Sequence, residues 1–287
     1  MTGTRDDWSD WVGRSQSEAD VIASAPLNGL NALLDRDSRV GSGEDVRPCA
    51  HWLYFLPFTR QSEMGEDGHP RRGGFLPPID LPRRMWAGSR LEFPGVLRTG
   101  DVATRTSTIL SITPKVGRSG RMVFVTVRHE VAGPCGVAVR EDQDIVYREP
   151  APAGGGAGDA KSASAEHTFL AEDRRTIAPT ELMLFRFSAL TFNGHRIHYD
   201  LPYATGVEGY PGLVVHGPLI ATLLLDLVLE KYPASRLRAF RFRAVSPLFA
   251  PEHFEVARAP IAGGKVALRA CSRSGATAMA AEADIAN

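Results

Sequence analysis

Residues 218–231, PLIATLLLDLVLEK, form a helix with one narrow polar stripe. Thr222, Asp226 and Glu230 stand four apart on that stripe, and every other face is apolar, so the helix is buried on most sides. Pro218 sets its start and Tyr232-Pro233 its end. A lone helix that is apolar almost all round needs a concave partner, and a curved sheet supplies one. Strands follow it: Leu237–Val245, His253–Pro260 and Lys265–Arg273, with Ala262-Gly263-Gly264 turning between the last two. Ala276–Ile285 reads as a further edge strand. Upstream lie Thr168–Ser188, a compact polar loop at Thr191–Asp200 and a glycine-rich approach at Gly206–Gly217.

Further out, Ala151–Ala165 (APAGGGAGDAKSASA) has nothing to bury and reads as a flexible linker. It divides the chain into residues 1–150 and 166–287. In the first part Pro26–Leu34 reads as a short helix, with Ser24 near its start. Arg47–Phe55 (RPCAHWLYF), stopped by Pro57, reads as a second, buried one. A Gly/Pro-rich loop, Thr59–Gly88, precedes three extended stretches: Asp101–Thr113, Arg121–Val131 and Val137–Glu149. Met122–Arg128 is nearly continuous in apolar and β-branched residues, as a core strand requires. An Arg-x-x-x-Pro recurs after each helix, at Arg90…Pro94 and Arg243…Pro247, each followed by an acidic turn and a strand. That echo suggests duplication of one unit, a helix wrapped by an antiparallel sheet, and an α+β class.

Composition narrows the function. The 287 residues carry 33 Lys+Arg against 33 Asp+Glu, so the net charge is zero and nucleic acid is not an expected partner. No apolar run approaches the roughly 20 residues of a membrane span. Met1–Trp11 is polar and acidic, unlike a secretory leader. Cys49, Cys135 and Cys271 are odd in number and far apart, so a cytoplasmic protein without disulfides is expected. Only four of the 33 cations are lysines. Arginine's planar fork suits anionic ligands, although GC-rich codon usage yields the same bias. Nucleotide-binding glycine motifs and the Gly-x-Ser-x-Gly elbow are missing from the sequence.

Polar chemistry concentrates at 190–200, LTFNGHRIHYD, which holds Asn193, His195, Arg196, His198, Tyr199 and Asp200, and at His216-Gly217, where the buried helix begins. An imidazole near neutrality supplies proton transfer. A helix N-terminus supplies free N–H donors for a developing oxyanion. Gly217 lets an oxygen approach its amide, and Pro218 offers no N–H, which leaves Gly217 and Leu219 as donors. His198 is the functional histidine on this reading, His195 faces solvent or backbone, and His216 orients the helix start. A zinc or iron site from His195, His198, Asp200 and His216 is the rival. It matches no known ligand spacing, and Gly194 weakens the helical turn that would gather the ligands, so no metal is expected.

LTFNGHRIHYDLPYA (190–204) followed by EGYPGLVVHGPL (208–219) resembles the MaoC-like hydratases and dehydratases of the hot-dog fold. WVGR at 11–14, PPIDLPRRMWAGSRLEF at 77–93 and IVYRE at 145–149 resemble the N-terminal unit of one branch. That branch holds mesaconyl-C4-CoA and itaconyl-CoA hydratases and the mitochondrial 3-hydroxyacyl-thioester dehydratases. The resemblance implies a double hot-dog: a degenerate, substrate-shaping unit at 1–150 and a catalytic one at 166–287. It implies reversible hydration of an α,β-unsaturated acyl-CoA by a lyase that needs no cofactor, CoA arriving as part of the substrate. His198 would be the acid/base and Gly217 the donor to the thioester oxygen. Asn193 stands where the family has an aspartate, and an amide takes no proton. Asn193 would therefore orient the water, with Asp200 as an aid to His198. His216, Leu219 and Tyr203 would line the substrate, and Arg238, Arg241 and Arg243 would meet CoA phosphates.

A short branched dicarboxylic enoyl-CoA is the first expectation, and the arginines of the Thr59–Gly88 loop (Arg60, Arg71, Arg72, Arg83, Arg84) lean that way. A dehydratase of linear 3-hydroxyacyl thioesters, a non-catalytic acyl-thioester-binding module and a thioesterase are the alternatives. A homodimer is compatible with all of them.

Overall fold

The computed structural model describes residues 8–117, 120–149 and 169–286. The linker read at Ala151–Ala165 lies outside the described residues. In chain order the elements are β1 (Ser15–Val21), α1 (Ser24–Leu33), β2 (Arg83–Glu92), β3 (Val102–Gly117), β4 (Gly120–Gly133), β5 (Gly136–Arg148), β6 (Asp173–Ile177), α2 (Glu181–Leu190), α3 (Leu201–Gly206), β7 (Leu213–Val214), α4 (Gly217–Lys231), β8 (Arg236–Ala244), β9 (Phe249–Ala250), β10 (Phe254–Arg258), β11 (Lys265–Ser272) and β12 (Thr277–Ala286).

Ten strands form one antiparallel sheet in the order β1-β3-β4-β5-β2-β8-β12-β11-β10-β6. The run β1-β3-β4-β5-β2 is repeated in pattern by β6-β10-β11-β12-β8, which is the duplication that the sequence echo suggests. The two runs meet edge to edge at β2 and β8, with Gly88 opposite Arg243 and Arg90 opposite Arg241. Both arginines of the repeated Arg-x-x-x-Pro thus sit on the seam. The architecture is α+β, a double hot-dog in which two half-sheets are fused into one.

Helix α4 fills the second half as its sequence requires. Every residue from Leu219 to Val228 is buried, and the helix packs on β10, β11 and β12. Each fully buried leucine contributes about 1.5–3 kcal/mol relative to exposure. Its polar stripe is satisfied side chain by side chain. Thr222 Oγ1 donates back to the Pro218 carbonyl at 2.8 Å, Asp226 pairs with Arg36 from the loop after α1, and Glu230 pairs with Arg175 of β6 at 2.6 Å.

The first half departs from the expectation of a second buried helix at Arg47–Phe55. Only Ala50–Leu53 turns, as a single 3-10 turn, with Cys49 (φ 69) and Phe55 (φ 54) in left-handed conformations on either side. Pro57 bars any continuation of that turn, and the left-handed backbone at Cys49 and Phe55 breaks the run on both sides. The segment's polar atoms are also claimed by distant partners. Trp52 Nε1 donates to Glu141 Oε2 at 2.9 Å, and His51 Nε2 lies 3.1 Å from the same oxygen. The Phe55 amide donates to Asp20 at 2.8 Å. The wall of β2, β4 and β5 that a helix would have covered, including Trp86, Phe124 and Tyr147, instead lines a large cavity shared with the second half. The three cysteines are free, Cys49 being buried. No helix among the described residues is long and apolar enough to cross a membrane.

Candidate active site

The loop after α2 is shaped by local capping. Thr191 Oγ1 donates to the Phe187 carbonyl at 2.8 Å, and the Asn193 amide donates to the Ser188 carbonyl at 2.9 Å. A 3-10 turn at Arg196–His198 follows. That turn is gripped from the first half: the Arg196 amide donates to the Asp67 carbonyl at 2.9 Å, and Arg196 Nη1 to the Glu66 carbonyl at 2.9 Å. Gly68 makes this docking possible. It has φ +84°, and a Cβ there would stand 1.8 Å from the Gly194 carbonyl oxygen.

His198 is buried. Its Nδ1 lies 2.7 Å from the Val214 carbonyl, which β7 fixes by pairing with β9. A carbonyl only accepts, so the proton sits on Nδ1 and Nε2 keeps its lone pair. His216 stacks on the His198 ring with centroids 3.7 Å apart and planes 16° apart; its Nε2 is 2.9 Å from Ser188 Oγ. The His195 ring meets His198 edge-on at 5.5 Å, and the His69 ring lies 4.0 Å from His195. Asp67 Oδ2 accepts from His69 Nδ1 at 2.9 Å. The result is a column of four imidazoles capped by a carboxylate. Burial pushes His198 down to about 4, against the opposing Val214 hydrogen bond. Burial likewise depresses His216, His195 and His69. Burial works to raise the Asp67 carboxyl, but its hydrogen bonds and charge interactions with His69, aided by His195, together outweigh burial and hold it well below the usual carboxylate range. Near pH 7 the column is therefore neutral imidazole throughout, with an anion at its outer end.

Gly217 opens α4 and lines the same cavity as His198. Among the described residues no backbone carbonyl accepts from its amide, as the first turn of a helix dictates. Asn193 also lines the cavity. Its Oδ1 accepts from the His195 amide at 3.0 Å, so its NH2 is the part left to meet a ligand. An unprotonated imidazole nitrogen, two amide donors and a helix N-terminus around one void can hold a water and a carbonyl oxygen together.

Several expected site residues lie elsewhere. Asp200 does not line the cavity: its Oδ2 accepts from Arg196 at 2.8 and 2.9 Å, and its Oδ1 caps α3 by accepting from the Tyr203 amide at 3.0 Å. With both oxygens engaged and Arg196 lowering its pKa, it has no proton to offer. Tyr203 is buried beneath the Arg196 guanidinium, 4.1 Å from its ring centroid, and forms core there instead of touching substrate. Leu219 is fully buried core, off the cavity wall. Arg238 and Arg241 are exposed and off the cavity wall: the pleat sets Arg241 on the opposite face from Phe240 and Phe242, Arg238 falls at the register shift between the Ala239 and Leu237 pairings of β8 with β12, and Arg241 pairs with Glu282 at 2.7 Å. Arg243 and His216 do line the cavity. His195, expected to face solvent or backbone, is a member of the imidazole column. The 3-10 turn supplies the proximity to His198 that an extended chain would deny.

The rival metal set does not converge: Asp200 is held away from the cavity by Arg196 and the Tyr203 amide, and His198 and His216 each commit one ring nitrogen, to Val214 and Ser188. Asp67, His69 and His195 do bring ligand atoms within 4.8 Å of one another, and they are the described group able to take a divalent ion. Sequence reasoning missed Asp67 and His69. The available signal was an Asp-Gly-His, Asp67-Gly68-His69, within the Gly/Pro-rich Thr59–Gly88 loop.

Residues 49–250 match the family described as hydroxyacyl-thioester dehydratase type 2. The chain belongs to the hydroxyacyl-thioester dehydratase type 2 family. It is 44% identical over 284 residues to the mesaconyl-C(4)-CoA hydratase of Chloroflexus aurantiacus, covering 97% of this chain and 98% of that one. Among solved structures it resembles a MaoC-like dehydratase from Phytophthora capsici, with TM-score 0.66 and 13% identity over 97% of this chain and 99% of that one. It also resembles a Mycobacterium tuberculosis protein with a double hot-dog fold, with TM-score 0.56 and 13% identity over 96% of each chain. The two structures bear on fold, which agrees with the fused half-sheets seen here. The hydroxyacyl-thioester dehydratase match takes in most of the cavity lining, from both halves.

Proposed function

We propose that this protein is a hydro-lyase that adds water reversibly to an α,β-unsaturated acyl-CoA, and that its substrate is a short branched dicarboxylic enoyl-CoA of the mesaconyl-C4-CoA or itaconyl-CoA type. The observation that carries the chemistry is the pairing of an unprotonated His198 Nε2 with the Gly217 amide on one cavity. The 44% identity to a mesaconyl-C(4)-CoA hydratase over nearly the full length of both chains supports the substrate class.

In the hydration direction His198 Nε2 takes a proton from water as the water oxygen bonds to the β-carbon. Electron density passes through the α-carbon to the thioester oxygen, where the Gly217 N–H and the α4 dipole stabilise it. His198, now protonated at Nε2, returns the proton to the α-carbon, so atoms and charge balance without a redox or group-transfer cofactor. Asn193, whose NH2 group is free, holds the water oxygen. Asp200 takes no part, and the Val214 carbonyl takes over the orienting of His198. In this scheme residues 166–287 supply the catalytic groups, and residues 1–150 shape the substrate end and hold the catalytic turn through Asp67 and Gly68.

A linear 3-hydroxyacyl thioester is the second reading, favoured by the family description. The cavity volume, about 2780 Å³, exceeds the roughly 300–1,000 Å³ of ordinary ligand sites, so space alone does not bar a longer chain. The test is a panel of mesaconyl-C4-CoA, itaconyl-CoA, crotonyl-CoA and longer enoyl-CoAs, with product mass and free thiol as readouts. A gain of water without free CoA supports a hydratase, free CoA marks a thioesterase, and neither marks a binding module. His198→Ala should lower kcat about 10²–10⁴-fold; near-parental turnover would remove His198 from its role.

A further inference from the structure

Most arginines along these strands have an acidic neighbour: Arg83 pairs with Glu208 at 3.0 Å, Arg90 with Asp144 at 2.5 Å and Arg128 with Asp142 at 2.7 Å. Among the described residues five on the cavity wall show no carboxylate partner, Arg71, Arg72, Arg84, Arg148 and Arg243, and of these Arg84 and Arg72 neighbour Tyr147. Arg84 stands on β2 opposite Tyr147 of β5. Arg72 donates to the Ile79 carbonyl and, at 2.9 Å, to the Pro82 carbonyl, which brings its guanidinium 5.8 Å from the Tyr147 ring centroid. Tyr147 is fully buried, with the Arg84 and Arg72 guanidiniums as the charged neighbours of its phenol. All three residues line the cavity that holds His195, His198 and Gly217.

We propose that Arg84, with Arg72 beside it over Tyr147, is the seat of the substrate's free carboxylate and makes the enzyme select a dicarboxylic monothioester over a neutral enoyl-CoA. The inference rests on the hydratase assignment and deepens it. A guanidinium drawn into a partly buried wall without an anion is an unpaired charge, and a planar carboxylate matches its fork. A CoA phosphate offers the same charge. The position argues for the acyl carboxylate, because the Arg84 charge acts on His69 and His195, members of the column that ends on the catalytic imidazole. The CoA diphosphate, by contrast, lies a pantetheine arm away from the thioester. Arg83, next along the strand, is neutralised by Glu208 and anchors its backbone carbonyl, which leaves Arg84 as the uncompensated charge at that end of β2 and, with Arg72, the one acting on His69.

The experiment compares kcat/KM for mesaconyl-C4-CoA and crotonyl-CoA in the full-length protein and in Arg84→Gln, with a thermal melt of each. Losing a charge-assisted hydrogen bond should lower the mesaconyl-to-crotonyl ratio about ten- to hundredfold. Equal losses on both substrates would place Arg84 on CoA and overturn the inference, as would an unchanged ratio. If Arg84→Gln does not fold, the parent enzyme decides: 3-methylcrotonyl-CoA, which lacks the carboxylate, should be poorer than mesaconyl-C4-CoA by the same factor, and equal rates overturn the carboxylate seat while leaving the hydratase assignment intact. A parent enzyme that hydrates none of these thioesters ends both.

Discussion

Gly217→Ala separates the chemistry of the α4 N-terminus from its structural role. A Cβ built at Gly217 meets nothing nearer than Met279 Cε at 4.0 Å, an ordinary van der Waals contact. Gly217 is not among the glycines with positive φ, so alanine fits its backbone. Such a replacement stabilises a protein by about 0.4–1 kcal/mol, because it restricts the unfolded chain. The protein thus has no packing need for glycine here; the open space beside the amide belongs to the ligand. Deleting an oxyanion donor outright costs about 10²–10³ in kcat, about 2.7–4 kcal/mol. Alanine keeps the N–H and only obstructs the approach to it, so the loss should fall near the lower end, roughly hundredfold. The assay follows loss of enoyl-thioester absorbance with mesaconyl-C4-CoA, alongside thermal unfolding of the same samples. An alanine variant as stable as the parent and within about threefold of its kcat/KM would refute the placement of the thioester oxygen.

The acid limb of kcat/KM should fall near pH 4 and not near 6.5, since His198 must be neutral to accept a proton and burial holds it at about 4; an acid limb centred near 6.5 would contradict a desolvated base. Stability should move in the same direction. His198 in the unfolded chain takes up its proton as pH drops below about 6.5 while the folded one resists until about 4, so folding weakens by on the order of 3 kcal/mol across that window and is at full strength above it; chemical denaturation at pH 7 and pH 4.5 measures this. Asp200→Ala should cost about 0.5–2 kcal/mol through loss of the α3 cap while kcat stays near the parental value, and a hundredfold fall in kcat of a well-folded variant would return Asp200 to the proton path.

Helix α4 was legible almost to the residue, because prolines mark both ends and its apolar faces admit one interpretation. The second-half strands were legible for a similar reason, since period-two burial and the glycine turn at 263–264 are local signals, but the last of them, read as an edge strand, lies between β8 and β11 as β12, because sheet order is not a local property. RPCAHWLYF was misread, because an apolar run bounded by prolines looks alike whether it coils or merely turns. What decided it was Glu141, some ninety positions away, pulling His51 and Trp52 toward the sheet. At the site, His198 and Gly217 were visible from their neighbours in sequence. Asp200 was not, since its capture by Arg196 and the Tyr203 amide depends on a turn that propensity does not reveal. His69 and Asp67 were hidden by distance along the chain. Arg241 was misplaced by one step of strand parity, which sets it on the opposite face from Phe240 and Phe242, and Arg238 by a register shift in β8 that no local signal announces.

The seam between β2 and β8 has a consequence for assembly. A lone half would end in β8 with its N–H and C=O groups unpaired, an edge that invites pairing with a second molecule. Here the pairing strand travels on the same polypeptide, so both edges are satisfied internally and dilution cannot separate them. Each half is then relieved of having to match itself. One can lose its helix and open space for an acyl group while the other keeps the imidazoles and the helix tip, a specialisation that a symmetric pair of identical subunits could not adopt one side at a time.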